Sequence, residues 1–399
     1  MMTRNHDFLI KPSNTFKTLL PIMLVVSTVF LITGFALPVL PLHVHQTLGL
    51  STFYVGIVAG CQFAASLVSR VWAGQYSDRR GPKRAVIVGL VLATISGGFY
   101  LFSLYLIYIP IVSVIVLMMG RGLLGGAESL MITGCMAWGL GLSKRNESGK
   151  VIAWIGTALY VAFAIGAPIG SILYARWGFL AIALATILIP LSVLPLVLRI
   201  KEVKVIQKPR MDFGKVLKAV LIPGTGLAMS STGFGAMTAF SALLFVDHQW
   251  QMVWLPFSIF AAFFILARIS LGHLPDKVGG AKVALTFVIL ESVGLALLWN
   301  ASIPIVALFA SALVGFGYSL VYPSFGIEAI HRIPADNRGL AMGGYTAFLD
   351  LTLGIITPIQ GFIASHTNIR AVFLTSALMT FCAAIVAIRL IRTPFKPIA

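Results

Sequence analysis

Arg70–Arg84 reads RVWAGQYSDRRGPKR, and its core spacing is Gly74-x-x-x-Asp78-Arg79-x-Gly81-x-Lys83-Arg84. The stretch leaves one apolar run and enters another. The same pattern returns 198 residues later in Arg268–Lys282, RISLGHLPDKVGGAK, where Arg268, Gly272, Asp276, Gly279 and Lys282 stand in register with Arg70, Gly74, Asp78, Gly81 and Arg84. A charged hairpin repeated at half the chain length, each copy between hydrophobic segments, marks a duplicated membrane protein.

Composition agrees with that reading. Of the 399 residues 58% are hydrophobic and 10% charged, against about 25% charged in soluble domains; mean hydropathy is +0.97. Apolar runs recur that are long enough to cross ~30 Å of hydrocarbon as helices, and they lack the alternation of barrel strands. Twelve spans are expected, near 19–42, 51–74, 84–107, 110–141, 149–174, 178–199, 216–246, 250–273, 281–300, 303–330, 338–364 and 368–392. Gly81-Pro82, Pro110, Gly178, Gly279-Gly280 and Pro334 punctuate them. The first run is read as span 1 and not as a cleaved leader, because it is long and other spans follow.

The net charge of +17 does not point to nucleic acid. Its cations cluster in short connections between spans. With the N-terminus inside, 24 of the 29 Lys and Arg face the cytoplasm and only Arg176 and Arg370 face outward. Both termini are therefore expected in the cytoplasm. Arg70, Arg121 and Arg268 fall within spans. The basic connection at 200–215 divides residues 1–199 from 216–399, two bundles of six helices each. The repeat continues beyond the hairpins: Thr33-Gly34-Phe35 returns as Thr232-Gly233-Phe234, and Gly149 and Pro168 as Gly339 and Pro358. Cys61, Cys135 and Cys382 lie singly in apolar runs and read as small hydrophobes,. The Asn146-Glu147-Ser148 sequon lies on the inner side and should be unused.

At this point the motifs resemble a known family. Gly74–Arg84 is similar to the signature loop between helices 2 and 3 of the major facilitator superfamily. Arg121-x-x-x-Gly125 resembles its helix-4 arginine motif. Gly156 with Gly166-Ala-Pro168-Ile-Gly170 resembles the helix-5 motif of its antiporters. The likeness covers the whole chain and is strongest to the arabinose-efflux-permease-like and drug-exporter-like branch. It implies an all-α membrane protein of 12 transmembrane helices in two pseudo-symmetric six-helix bundles. It further implies alternating access, proton coupling, a monomer in a bacterial inner membrane, and no cofactor. By the same resemblance the hairpins latch the cytoplasmic side. Gly74 and Gly272 are expected to let helices approach closely there, and Asp78 and Asp276 to accept hydrogen bonds from a helix N-terminus.

Ionisable residues deep in a span cost at least ~2.5–3.5 kcal/mol each, which makes them functional candidates. Arg121 and Glu128 are seven residues apart on one helix face, so they are read as a site where a fixed cation sits near a carboxyl that can load a proton,. Asp350 is the second candidate for proton or substrate; its repeat counterpart is Tyr160, and by resemblance helices 5 and 11 line or flank the cavity. Glu291, on a helix expected to be peripheral, is read as structural, and Glu328 as an ion pair with His331 and Arg332. His43, His45, Asp247 and His248 could form an outer pH gate or metal site, against the plainer reading of solvated histidines. Gly120-Arg-Gly122-Leu-Leu-Gly125 matches a dinucleotide fingerprint but lacks the preceding strand it would need,. No catalytic triad, metal cluster or phosphate loop is present.

The expected function is proton-coupled export of small organic molecules. Uptake of a sugar, organic anion or metal chelator is the alternative, and a membrane-embedded enzyme or receptor the rival of another class. Span 1 carries no acid, which places the coupling on spans 4 and 11.

Overall fold

Every apolar run becomes a helix, and proline or glycine sets most of the boundaries. A computed structural model describes residues 15–143, 148–203, 213–331, 333 and 338–393. The sequon at Asn146, Arg332, Pro334 and most of the 200–215 connection lie outside the described residues. The helices are α1 (Thr15–Leu42), α2 (Thr52–Arg80), α3 (Pro82–Tyr105), α4 (Pro110–Leu142), α5 (Ser148–Trp177), α6 (Phe179–Arg199), α7 (Phe213–Asp247), α8 (Leu255–Leu271), α9 (Leu274–Val278), α10 (Gly280–Trp299), α11 (Pro304–Ile330), α12 (Arg338–His366) and α13 (Ile369–Arg392). A π-helical turn, His43–Thr47, closes α1.

Eleven of these helices are long and apolar enough to cross a membrane, and α8, at 17 residues, is the twelfth span. It begins at Leu255 and not near 250, because Gln249 and Met252 adopt φ of 54° and 56° and break the helix. Pro256 then suits its first turn, where a missing N–H costs nothing,. Pro82 does the same for α3, and Pro110 for α4.

The duplication is visible in the backbone. Gly81 and Gly279 precede α3 and α10 with φ 92° and 103°, a region closed to most side chains,. In the N-terminal bundle α3 packs on α4 and α6, α1 on α5, and α2 on α4. In the C-terminal bundle α10 packs on α11 and α13, α7 on α12, and α8 on α11, helix for helix the same arrangement. The helix-5 glycines serve this packing: a Cβ on Gly170 would meet the Phe35 backbone, and one on Gly166 would meet Gly34. Gly156 of the same motif faces open space. Gly120 packs on Tyr100 and Gly125 on the α2 backbone at Gln62, so the glycines of the dinucleotide look-alike are helix contacts.

The bundles meet along three seams, α1 on α7, α2 on α12 and α5 on α8. On the α2–α12 seam Gly361 faces Thr52, Gly56 faces Thr357, and Gly354 faces Ala64, so backbone lies on backbone,. These contacts occupy the half of the molecule away from the hairpins. There one continuous core joins both bundles, from Phe35 and Val55 to Phe240 and Phe373. Towards the hairpin end the core divides in two, one around Leu19 and Trp138, the other around Val216 and Tyr345. The bundles are closed at the far end and parted at the hairpin end.

That parting corrects one expectation. A Cβ on Gly74 would meet nothing, and one on Gly272 only the carbonyl of Arg268 in its own last turn. Neither glycine serves close helix approach here, because no helix of the other bundle lies beside them. Asp276 is exposed, whereas Asp78 is half-buried and engaged. Arg79, Arg84 and Lys282 are exposed, while Lys83 Nζ caps the end of α6 through the carbonyls of Leu198 (2.8 Å) and Ile200 (2.9 Å). The Glu328 carboxylate accepts from Ala281 N (3.0 Å) in the first turn of α10, where the helix dipole favours an anion, and Arg332, its expected ion-pair partner, lies outside the described residues,.

The contrast within the helix-5 motif is testable. Gly170→Leu, which overpacks α5 against α1, is expected to destabilise by about 1–3 kcal/mol or more; Gly156→Ala should be neutral. Thermal midpoints and yields of detergent-solubilised protein measure both.

Candidate functional site

The candidate residues gather where the α2–α12 and α5–α8 seams end and the bundles part. On α2, Arg70 reaches across the seam to α12. Its Nε donates to Asp350 Oδ2 at 2.9 Å, and Nη2 donates to the same oxygen. Both side chains are largely buried, at 14% and 6% exposure. Ser66 Oγ also reaches Asp350 Oδ2 (3.4 Å) and contacts Ser129 Oγ (3.1 Å), while Ser129 Oγ donates to the Ser66 carbonyl (2.8 Å). A polar chain thus runs from α4 through α2 to α12, from one bundle to the other.

Glu128 is the next residue on α4. It is buried, and Thr33 Oγ1 of α1 donates to its Oε1 at 2.8 Å. Arg121 is also buried, against Tyr100, and its Nε and Nη1 have no hydrogen-bond partner. The two share a helix, yet no ion pair joins them among the described residues. Two helical turns, about 10 Å, separate them. Both lie inside one bundle, spaced as their positions on α4 require.

Tyr160 of α5 does not meet Asp350. It lies across the other seam, under Arg268 of α8, whose guanidinium carbon is 5.3 Å from the centroids of both Tyr160 and Phe264. Arg268 Nη2 donates to the Ser319 carbonyl at 2.8 Å, and Nε has no partner. Beyond Tyr160 and Phe264, Phe163, Phe234 and Phe260 close on those two rings with a small residual gap between them. Arg70 and Arg268 are repeat counterparts, as are Asp350 and Tyr160. Each arginine crosses a seam to the same position of the opposite bundle; one finds a carboxylate there and the other a phenol.

Sequence reading placed both arginines within spans without giving them a role. The signal was available: a membrane-embedded arginine four residues before the first hairpin glycine, present in both halves. What sequence could not supply was the partner, 280 residues away.

Glu291 is fully buried between α7, α10 and α11. Ser230 donates to its carboxyl, and Gly233 and Gly317 pack directly on it. Its contacts are internal to one bundle. The far-end histidines are each committed locally. His43 is buried and stacks on Phe179 at 4.2 Å. His45 Nδ1 contacts the Leu50 carbonyl at 2.9 Å, and His248 accepts from Arg370 Nε at 3.0 Å. Among the described residues no group of His, Cys, Asp and Glu could hold a metal ion.

Two duplicated six-helix bundles, closed on one side, open on the other and joined by buried charges at the boundary, define a membrane carrier. Comparison with known proteins gives the family. The sequence matches the Major Facilitator Superfamily over residues 22–325 and 251–399. It is 38% identical over 363 residues to an uncharacterized MFS-type transporter of Salmonella typhimurium, covering 91% of this chain and 94% of the relative. It is also 38% identical over 385 residues to one of Burkholderia pseudomallei, covering 94% and 93%. Among solved structures it resembles a D-xylose–proton symporter (TM-score 0.78, 14% identity, 93% and 97% covered). It resembles the nucleoside transporter NupG as well (TM-score 0.75, 12% identity, 94% and 99% covered). The chain belongs to the Major Facilitator Superfamily; it is a transporter and not an enzyme.

Removing one member of a buried ion pair strands the other, at about 3–5 kcal/mol. Arg70→Met is therefore expected to lower the thermal midpoint more than the double variant Arg70→Met/Asp350→Asn does. A double-mutant cycle on purified protein measures the coupling; additive effects would show that the pair carries no energy.

Proposed function

We propose that the protein is an obligatory proton antiporter, exporting small organic molecules across a bacterial inner membrane as a monomer. The hairpin end and both termini face the cytoplasm, in keeping with the 24 cations assigned to that side,. The structure then corresponds to the inward-open state, with residues 1–199 and 216–399 as the rocking halves and 200–215 as the connecting loop.

The Arg70–Asp350 pair carries this reading. It spans the seam that must part for the carrier to open outward. Opening with both charges bare costs about 4 kcal/mol, which depopulates that route roughly a thousandfold. A proton on Asp350 removes the attraction that opening must break, and a ligand that takes one partner's place offsets it. The empty carrier is thus held, while the protonated or loaded carrier turns over. A symporter or uniporter must return empty, so the lock favours exchange. With protons driven inward, exchange means export.

In this cycle Asp350 takes a proton from outside, and Arg70 expels it inside by reclaiming the carboxylate. Glu128, held by Thr33 and linked to the seam through neighbouring Ser129, carries the second titratable site, with Arg121 as the fixed cation of the same helix. When the inner side closes, Gly74, Asp78, Gly81, Gly272, Asp276 and Gly279 of the two hairpins form the latch. Tyr160 marks the second seam.

Everted vesicles holding a respiration-built, acid-inside gradient test the exchange. A solute that undergoes counterflow should dissipate the gradient; if it never does, antiport is excluded. Glu128→Gln is expected to lose gradient dissipation while keeping counterflow. Asp78→Asn should slow turnover about tenfold or more with substrate affinity changed less than threefold. A large affinity loss would instead move Asp78 into the binding site.

A further inference from the structure

We infer that the missing counter-ion of Arg268 is supplied by the substrate, and that the substrate is a flat aromatic anion, an aryl carboxylate in the simplest case. The inference deepens the export reading above by naming its cargo, and depends on that reading only for calling the ligand cargo.

The duplicated architecture poses the question. Arg70 and Arg268 occupy equivalent positions and cross equivalent seams. Arg70 is neutralised by Asp350. At the position equivalent to Asp350 the chain carries Tyr160, so Arg268 meets a ring. Among the described residues the titratable groups that bear on Arg268 are Tyr160, Tyr318, Tyr322 and Tyr345, and no salt bridge joins it to a carboxylate. The attraction of a guanidinium to ring faces offsets only part of the cost of a half-buried cation. One guanidinium N–H is spent on the Ser319 carbonyl, which fixes the plane of the group, and Nε–H is left without an acceptor. A carboxylate is the natural partner for that edge, since the planar fork donates two parallel hydrogen bonds to its two oxygens.

The rest of the surroundings specify the ligand's body. Tyr160 and Phe264 lie 4.4 Å apart, and Phe234 stacks on Tyr318 at 5.3 Å. A planar aromatic ligand can insert between rings that already stack and keep the offset contacts they prefer. Tyr322, its hydroxyl 2.8 Å from Thr346, lies near Arg268, Arg70 and Asp350 alike. Among the described residues Arg121 also has buried N–H groups without a partner, but it is sealed inside the N-terminal bundle, whereas Arg268 lies on a seam between the bundles.

Binding is measured on the full-length protein in detergent by thermal shift and tryptophan fluorescence, with 1-naphthoate as probe. Its uncharged counterpart is 1-naphthamide, and its counterpart without an aromatic ring is cyclohexanecarboxylate. Naphthoate is expected to raise the thermal midpoint with saturation, naphthamide to give no shift, and cyclohexanecarboxylate to bind at least tenfold more weakly. Tyr160→Asp, which installs the acid that the repeat lacks, should fold, raise the ligand-free midpoint and abolish the naphthoate shift; Arg268→Gln should abolish it too. The inference is overturned if naphthoate gives no shift at millimolar concentration, if naphthamide binds as well, or if both variants bind normally. Naphthoate that binds without dissipating the vesicle gradient would sink the antiport reading and leave this site intact. Gradient dissipation by other solutes, with no naphthoate binding, would do the reverse.

Discussion

A guanidinium and a carboxylate held against each other between two halves of a membrane protein set the terms for this molecule. Arg70 and Asp350 belong to different bundles, and each would be expensive to leave alone in a medium of low dielectric,. Their attraction therefore ties the relative position of the bundles to the charge state of one side chain. The glycine contacts along α2 and α12 bring the helices close enough for the pair to form. Ser66 and Ser129 extend it into the N-terminal bundle, next to the buried Glu128.

The halves repeat in backbone and packing but diverge where chemistry is done. Gly81 and Gly279 turn the chain identically into α3 and α10, and helix contacts correspond one for one. The frame is symmetric because the chain is duplicated. The groups at the seams need not be. An ion pair on one side and a cation among rings on the other give the carrier a lock and a recess from the same ancestral position.

Much of this was legible in the sequence. Hydropathy alone marks twelve spans, and the repeated hairpin announces the duplication. The depth of Arg121, Glu128 and Asp350 marks them as buried charges, and all three are buried. What stayed hidden depends on helix rotation and on distant partners. Nothing near Asp350 names Arg70, and nothing near Glu328 names the first turn of α10. Arg121 and Glu128 share a helix face two turns apart, and their separate surroundings, Tyr100 for one and Thr33 for the other, come from other helices. The role of Gly74 depends on conformation, which one sequence serves in several versions. The late start of α8 reflects two residues at positive φ, Gln249 and Met252, of types that give no warning of it.

The two seams also differ in how contact decays with distance. Glycine laid on backbone, as along α2 and α12, loses its dispersion contacts within the first ångström of separation. Tilted rings, such as Tyr160 on Phe264 between α5 and α8, can slide over one another and keep partial contact. Separation of the bundles is therefore abrupt along one edge and gradual along the other.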